Sequence, residues 1–404
     1  MVEIIPFRGI RYNSEKVELS KVVAPPYDVI PEKEREKYAR YENNIVHIIL
    51  PEDNENNRYT NAARKLKSWI EEGILQQDEK PSIYVYEQEY TCRGRRKVMR
   101  GFIALAKLES YESGKILPHE DTLPGAIKDR LELLRACRAN LSPIFTFYSD
   151  PNREIDLLLE RRKENTADIE LGDIRHRFWK LSSSDEVSRI IQLMADKTVF
   201  IADGHHRYET SLAFSREKKY RYTMMYFTNM DAGGLTILPA HRLINGIKGF
   251  SARNFLNHLV RYFSVERIGV RELSSEMEAR GAHVFGIYLG RSLLYLITLA
   301  DEAAVDKFTN PEKSKAWRRL DVTIVHSLII NHILDLQKDN IVYVTEEGEA
   351  MRSVDNGKYQ LAILMNPTKL DEVVKIALAG ERMHGKATYF YPKLLTGLVI
   401  NKVD

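Results

Sequence analysis

Only two cysteines, Cys92 and Cys137, occur in 404 residues. That excludes a disulfide framework and a cysteine-built zinc site. Long apolar runs are missing as well, since nowhere do about 18 apolar residues follow one another. The start, Met1-Val2-Glu3-Ile4-Ile5-Pro6-Phe7-Arg8, has neither the basic opening nor the apolar centre of a signal peptide. These absences lead to the expectation of a cytoplasmic protein without a membrane partner. An excess of one charge is also lacking: 60 Lys plus Arg stand against 57 Asp plus Glu, for a formal net charge of +3. No long basic run or aromatic–basic stripe suits a nucleic acid, so none is expected as partner. Finally, no Gly-x-x-x-x-Gly-Lys-Ser/Thr loop, no Gly-x-Gly-x-x-Gly after a strand and no His-Glu-x-x-His is present. A conventional ATP or NAD site and a catalytic zinc therefore have no support.

Apolar residues at 44% and charged residues at 29% describe an ordinary folded protein. Strand-like and helix-like stretches alternate, which predicts a mixed α/β (α+β) architecture. Strands are expected at Ile45 to Leu50, Ile83 to Tyr90, Val98 to Leu108, Ile144 to Tyr148, Val199 to Ala202, Thr223 to Thr228 and Leu235 to Leu238. A hairpin turn is expected within Thr91 to Arg96. Helices are expected at Arg58 to Glu72, Ala126 to Arg138, Ser184 to Ala195 and His205 to Glu217. Beyond Arg242 the texture changes at Asn245-Gly246. A helix near Ser251 to Tyr262 follows, then two β runs facing one another across Gly290-Arg291, then a long helix near Leu320 to Leu334. The length suits two domains, 1–245 and 246–404, with the far end able to fold back on the first half.

The most informative segment is Phe200-Ile201-Ala202-Asp203-Gly204-His205-His206-Arg207-Tyr208-Glu209-Thr210. An apolar strand stops at a glycine, which lets the backbone turn sharply. The first turn of the next helix then offers unpaired amides and a positive dipole end. With His205, His206 and Arg207 added, the turn reads as an anion pocket, most naturally for phosphate. The competing reading is a plain strand–turn–helix with Asp203 as a cap and surface histidines.

Asp203-Gly204-His205-His206-Arg207 is similar to the motif of the ParB/sulfiredoxin-like superfamily. Around it the whole chain resembles a large bacterial and archaeal family of proteins with a domain of unknown function. The marks are Ala24-Pro25-Pro26-Tyr27-Asp28-Val29-Ile30, Pro118-His119-Glu120-Asp121-Thr122, Lys128-Asp129-Arg130, Ser142-Pro143-Ile144-Phe145, Ile237-Leu238-Pro239-Ala240-His241-Arg242 and Thr388-Tyr389-Phe390-Tyr391-Pro392-Lys393. The resemblance implies a ParB/sulfiredoxin-like core in 1–245 with an additional C-terminal α/β domain. Part of the family resembles pyrophosphate-dependent L-serine kinases, which implies phosphotransfer from pyrophosphate to free L-serine with Mg²⁺ as cofactor. A serine kinase using ADP or ATP, and a non-catalytic phosphate- or nucleotide-binding regulator, are the alternatives. Sulfiredoxin chemistry needs a cysteine in the motif, and none is there.

Such a reaction needs cations for the phosphate charge, a divalent metal, and a carboxylate to take the hydroxyl proton. Glu120 lies on a loop and is the first candidate for the base, although that loop also suits a capping turn. Asp28, behind two stiffening prolines, is the second, as base or metal ligand. The glutamate that archaeal free-serine kinases place in an early segment has no clear counterpart here, so both candidates stand, with Asp203 and Glu209 next. Asp121 is the other candidate metal ligand. Gly204, His205, His206 and Arg207 would hold phosphate, helped by Arg130, by His241 and Arg242 at a strand end, and by Lys386 and Lys393. Each helper also has a bland reading: a surface ion pair for Arg130, a sheet-end pair for His241-Arg242, and solvated lysines beside an aromatic strand for the last two.

Overall fold

Runs rich in Ile, Val, Tyr and Phe form the strands of the first sheet. They are β1 (Ile4–Ile5), β2 (Ile83–Cys92), β3 (Arg95–Lys107), β4 (Ile116–Leu117), β5 (Ile144–Tyr148), β6 (Ala167–Leu171), β7 (Ile174–Leu181), β8 (Val199–Asp203) and β9 (Tyr222–Asn229). This is a computed structural model, and it describes residues 2–52, 57–161, 167–336 and 340–403. Among them the spatial order is β4-β8-β5-β9-β3-β2-β7-β6, with β1 also paired to β3. The sheet is mixed, because β4 and β8 are parallel, β5 and β9 are parallel, and β8 runs antiparallel to β5. β2 and β3 pair from Cys92–Arg95 inward, so the turn is only Arg93-Gly94, tighter than the six residues expected. Both turn residues have positive φ, 49° and 71°, as a two-residue hairpin with right-handed strand twist demands.

The helices of this half of the chain include α1 (Val46–Ile49), α2 (Arg58–Glu71), α3 (Pro124–Cys137), α4 (Ser184–Ala195) and α5 (His205–Glu217), of which α4 packs on the sheet. Along α4, Val187, Ile190 and Met194 recur at helical spacing and are buried in the cluster that holds Ile83, Phe102 and Phe227. The expected strand at Ile45 to Leu50 is instead helical. Its five apolar residues, interrupted only by His47, fit either structure, and Asn44 decides. The Asn44 Oδ1 accepts the Val46 amide at 2.9 Å while Nδ2 donates to the Lys21 and Val23 carbonyls, which fixes a turn at that point.

A second sheet is antiparallel throughout, from β10 (His241–Ile244), β11 (Phe263–Arg267), β12 (Val284–Tyr288), β13 (Leu294–Leu299), β14 (Ile341–Val344) and β15 (Leu361–Met365). Its order is β11-β13-β12-β15-β10-β14. The long helix near Leu320 to Leu334 is an α-helix, Asp321–Ile324, continued by a π-helix, Val325–Ile333.

The chain divides into two units: unit 1 is Met1–Pro118, Thr122–Thr236 and Pro392–Asp404, and unit 2 is His119–Asp121 and Ile237–Tyr391. The division thus falls before β10 rather than at residue 245, because β10 hydrogen-bonds on both sides within the second sheet. The carboxyl end belongs to unit 1, where Asn401–Lys402 pairs with Ala139–Asn140. No described helix is long and apolar enough to cross a membrane.

Candidate functional site

β8 is buried through Ala202, shifts register between Ile201 and Asp203, and hands over to α5 at Gly204, whose φ is 92°. A Cβ at Gly204 would lie 2.8 Å from the Nε and Nη2 of Arg207. Glycine is therefore required twice, for the left-handed backbone and for the space the guanidinium fills. Arg207 folds back over the turn. Its Nη2 donates to Asp203 Oδ2 at 2.9 Å, and its Nη1 to Ser142 Oγ at 3.2 Å and to the Pro143 carbonyl. Lys393 Nζ donates to the other carboxylate oxygen, Asp203 Oδ1, at 2.8 Å, and its backbone is fixed by Gln88 Nε2 donating to its carbonyl at 3.0 Å.

Burial by itself would raise the Asp203 carboxyl, but Lys393 and then Arg207 outweigh it and hold the group well below the usual carboxylate range. At neutral pH Asp203 is a fixed anion of very low basicity, so it orders two cations rather than taking a proton. His205 is buried at 6% exposure, contrary to the surface reading. His206 Nε2 accepts the Leu123 amide at 2.9 Å, tying the first turn of α5 to the start of α3.

Arg130 is held in place rather than free on a surface. Its Nε donates to Asp129 Oδ2 at 2.8 Å, its Nη1 donates to the Ile49 carbonyl at 2.8 Å, and its guanidinium stacks 4.0 Å from the Tyr27 ring centroid. Burial and then the Asp28 charge push the Tyr27 hydroxyl up to about 12, against the opposing pull of Arg130 and Arg207. Tyr27, Arg130, Ser142 and Arg207 share a cavity of about 60 Å³ with Leu133 and Leu141. That is room for a few waters or one compact polar group. Asp28 sits exposed on the 3₁₀ turn Tyr27–Val29, with no hydrogen bond or ion pair among the described residues.

In unit 2, Glu120 forms a parallel bridge with Met383, and its Oε1 accepts the Lys386 amide at 3.1 Å. Next to it His119 is fully buried, with Nε2 2.9 Å from Thr388 Oγ1. Lys386 and Asp121 are exposed. His241 and Arg242 are buried at 4% and 1%, so a sheet-end surface pair is excluded; His241 Nδ1 accepts the Met365 amide at 3.1 Å. Unit 1 thus brings together Asp203, Gly204, His205, His206, Arg207, Arg130 and Lys393. Unit 2 holds Glu120 beside the Lys386 backbone.

Residues 4–323 match the family described as protein of unknown function (DUF1015). The chain belongs to that family. No protein of curated function matches it. Among solved structures it is similar to a conserved hypothetical protein from Pyrococcus furiosus, at 12% identity and a TM-score of 0.36 over 72% of this chain and 90% of that one. A free serine kinase in complex with AMP is similar at 13% identity and a TM-score of 0.37, over 75% and 91%. SbnI from Staphylococcus aureus, truncated at its C-terminus, is similar at 12% and 0.38, over 74% and 86%. At such scores the likeness decides nothing about the site.

Three further residues of this DUF1015 site have no assigned role in the sequence reading. Ser142 stands in a quoted motif, and a hydroxyl before a proline was a legible signal. Tyr27 was legible as part of Pro25-Pro26-Tyr27-Asp28, though its burial was not. Gln88 gave no signal, being one polar residue within a long strand. Among the described residues no group of three or more His, Cys, Asp or Glu side chains could hold a metal ion. A magnesium ion carried on donor phosphates takes only one or two protein carboxylates. Asp28 in unit 1 and Asp121 in unit 2, both exposed, are of that type.

Proposed function

We propose that this protein is a phosphotransferase that moves a phosphoryl group onto the hydroxyl of free L-serine, with inorganic pyrophosphate as donor. One observation carries the reading: the turn at Gly204 sets a helix N-terminus, Arg207 and Lys393 around one half-buried carboxylate, beside a small cavity that Arg207, Arg130 and Ser142 reach. Two cations against one anion leave a net positive charge, and the positive dipole end of α5 adds to it. The small cavity favours a compact donor. In the reaction a carboxylate accepts the serine hydroxyl proton, the oxygen attacks phosphorus, the bridging P–O bond breaks, and orthophosphate leaves. The proton acceptor is assigned to Glu120. Asp28 is assigned to a divalent cation, which when bound would spread the donor's negative charge. Kinship with ParB/sulfiredoxin-like proteins belongs to the same proposal, supported by the strand, Asp203-Gly204 and helix in sequence.

One observation favours a second reading. Asp203 already occupies both cations, as in a site that senses phosphate or nucleotide without turning it over. The deciding experiment is incubation of the protein with L-serine, Mg²⁺ and either pyrophosphate, ADP or ATP. O-Phosphoserine is expected with pyrophosphate and little with the nucleotides. Better activity with ADP or ATP replaces the donor, and no product with any of them favours the regulator.

A further inference from the structure

Arg242 lies on β10, between β14 and β15, with Tyr343 and Ile363 as its cross-strand partners. It is 1% exposed. Its Nη1 donates to the Ala240 carbonyl and lies 2.6 Å from Met365 Sδ, and the guanidinium stands 5.4 Å from the Tyr343 ring centroid. The opposite edge is different: Nε and Nη2 are buried and have no hydrogen-bond partner among the described residues. Burial pushes the guanidinium down to about 10, which still leaves it a cation at neutral pH. The carboxylate acting on it, Asp321, uses Oδ1 to accept the amide and Nδ1 of His283 instead.

A buried cation without a paired anion is costly, and each unmet donor on a charged group costs more than the 1–3 kcal/mol or so of a neutral one. The empty edge has a definite shape, since the Nε and Nη2 hydrogens are parallel and match two oxygens of one anion. Elsewhere in this chain the same edge is filled in that way. Arg11 grips Asp78 through Nε and Nη2 at 2.9 and 2.7 Å, and Arg175 grips Asp168 at 2.8 and 2.6 Å. We propose that Arg242 is an oxyanion-binding subsite of unit 2, whose Nε–Nη2 edge takes a two-oxygen anion, a carboxylate or a phosphate. The edge is covered in the resting structure, so binding is coupled to a local shift of the side chains over it. The inference concerns unit 2 alone and stands whether or not the protein transfers phosphoryl groups.

The test is NMR of the full-length protein labelled with ¹⁵Nε-arginine, titrated separately with inorganic phosphate and with acetate, against sodium chloride at matched ionic strength. The Arg242 signal is the one lost in Arg242→Lys. It is expected to shift saturably with at least one anion and not with chloride. Response to phosphate alone identifies a phosphate ligand, and response to acetate alone a carboxylate. The melting temperature of wild type should rise with the same anion, and Arg242→Lys, which cannot fork, should need at least tenfold more of it. A signal unmoved by tens of millimolar of both anions overturns the proposal, as does an equal rise in melting temperature in wild type and variant. Should Arg242→Lys fail to fold, the signal is assigned by elimination from the other arginine variants, and its response in wild type decides.

Discussion

Gly204 carries two demands at one atom, a φ of 92° and the space occupied by Arg207. Gly204→Ala is expected to cost about 1–3 kcal/mol in backbone strain and to push the guanidinium off Asp203. Turnover in the phosphoserine assay should fall at least tenfold; near-normal turnover would detach the turn from the chemistry. The two candidate carboxylates predict a split. Glu120→Gln should lower kcat on the order of 10²- to 10⁴-fold, as loss of a general base does, with little change in KM. Asp28→Asn should mainly raise the Mg²⁺ needed for half-maximal rate. Initial rates across Mg²⁺ concentrations read both, and the reverse pattern exchanges the roles. The Asp203-to-Arg207 cluster was legible because strand end, glycine and cations are adjacent in sequence. Lys393 as the second partner of Asp203 was legible only as a residue type, since 190 positions separate the pair.

The pairing of β2 with β7 places Tyr86 hydroxyl 2.7 Å from His176 Nδ1 in a buried, stacked contact. Burial pushes the His176 imidazole down to about 4. Below pH 6.5 or so the unfolded chain binds a proton that the folded chain refuses, so stability falls as pH drops from there toward about 4. The full loss is about 3 kcal/mol, from roughly 2.5 pH units at 1.36 kcal/mol each. Urea unfolding at pH 7 and pH 5 should show about 2 kcal/mol of it, the part that falls by pH 5, and His176→Gln should flatten that slope; an unchanged slope would place the titration elsewhere. Elements as such were readable where one periodicity ruled. α4 and α5 follow the expected bounds, whereas the five apolar residues between Ile45 and Leu50 fitted either period, and the hydrogen bond that Asn44 Oδ1 accepts from the Val46 amide settled them.

The carboxyl-terminal segment Pro392–Asp404 completes unit 1 rather than the unit that precedes it in sequence. Ile400 is fully buried and exchanges both backbone hydrogen bonds with Ile10, at 2.8 and 2.9 Å. Ile400→Ala is expected to destabilise unit 1 by about 2–5 kcal/mol. A chain stopped at Tyr391 should lose this packing together with Lys393, and calorimetry should show its unit 1 melting at a lower temperature. Equal melting of the shortened and full chains would make the segment an ornament of the surface.

By itself the sequence determined the mixed α/β class, the central strand–turn–helix and the charged residue types gathered at it, because periodicity, capping and turn chemistry act between near neighbours. Only the tertiary structure decided that Asp203 is shared by Arg207 and Lys393, that Arg242 is buried with one edge unpaired among the described residues, and that His119–Asp121 belongs with unit 2. Those outcomes depend on burial and charge pairing across long separations, where the energy of a side chain is set by what other strands bring beside it.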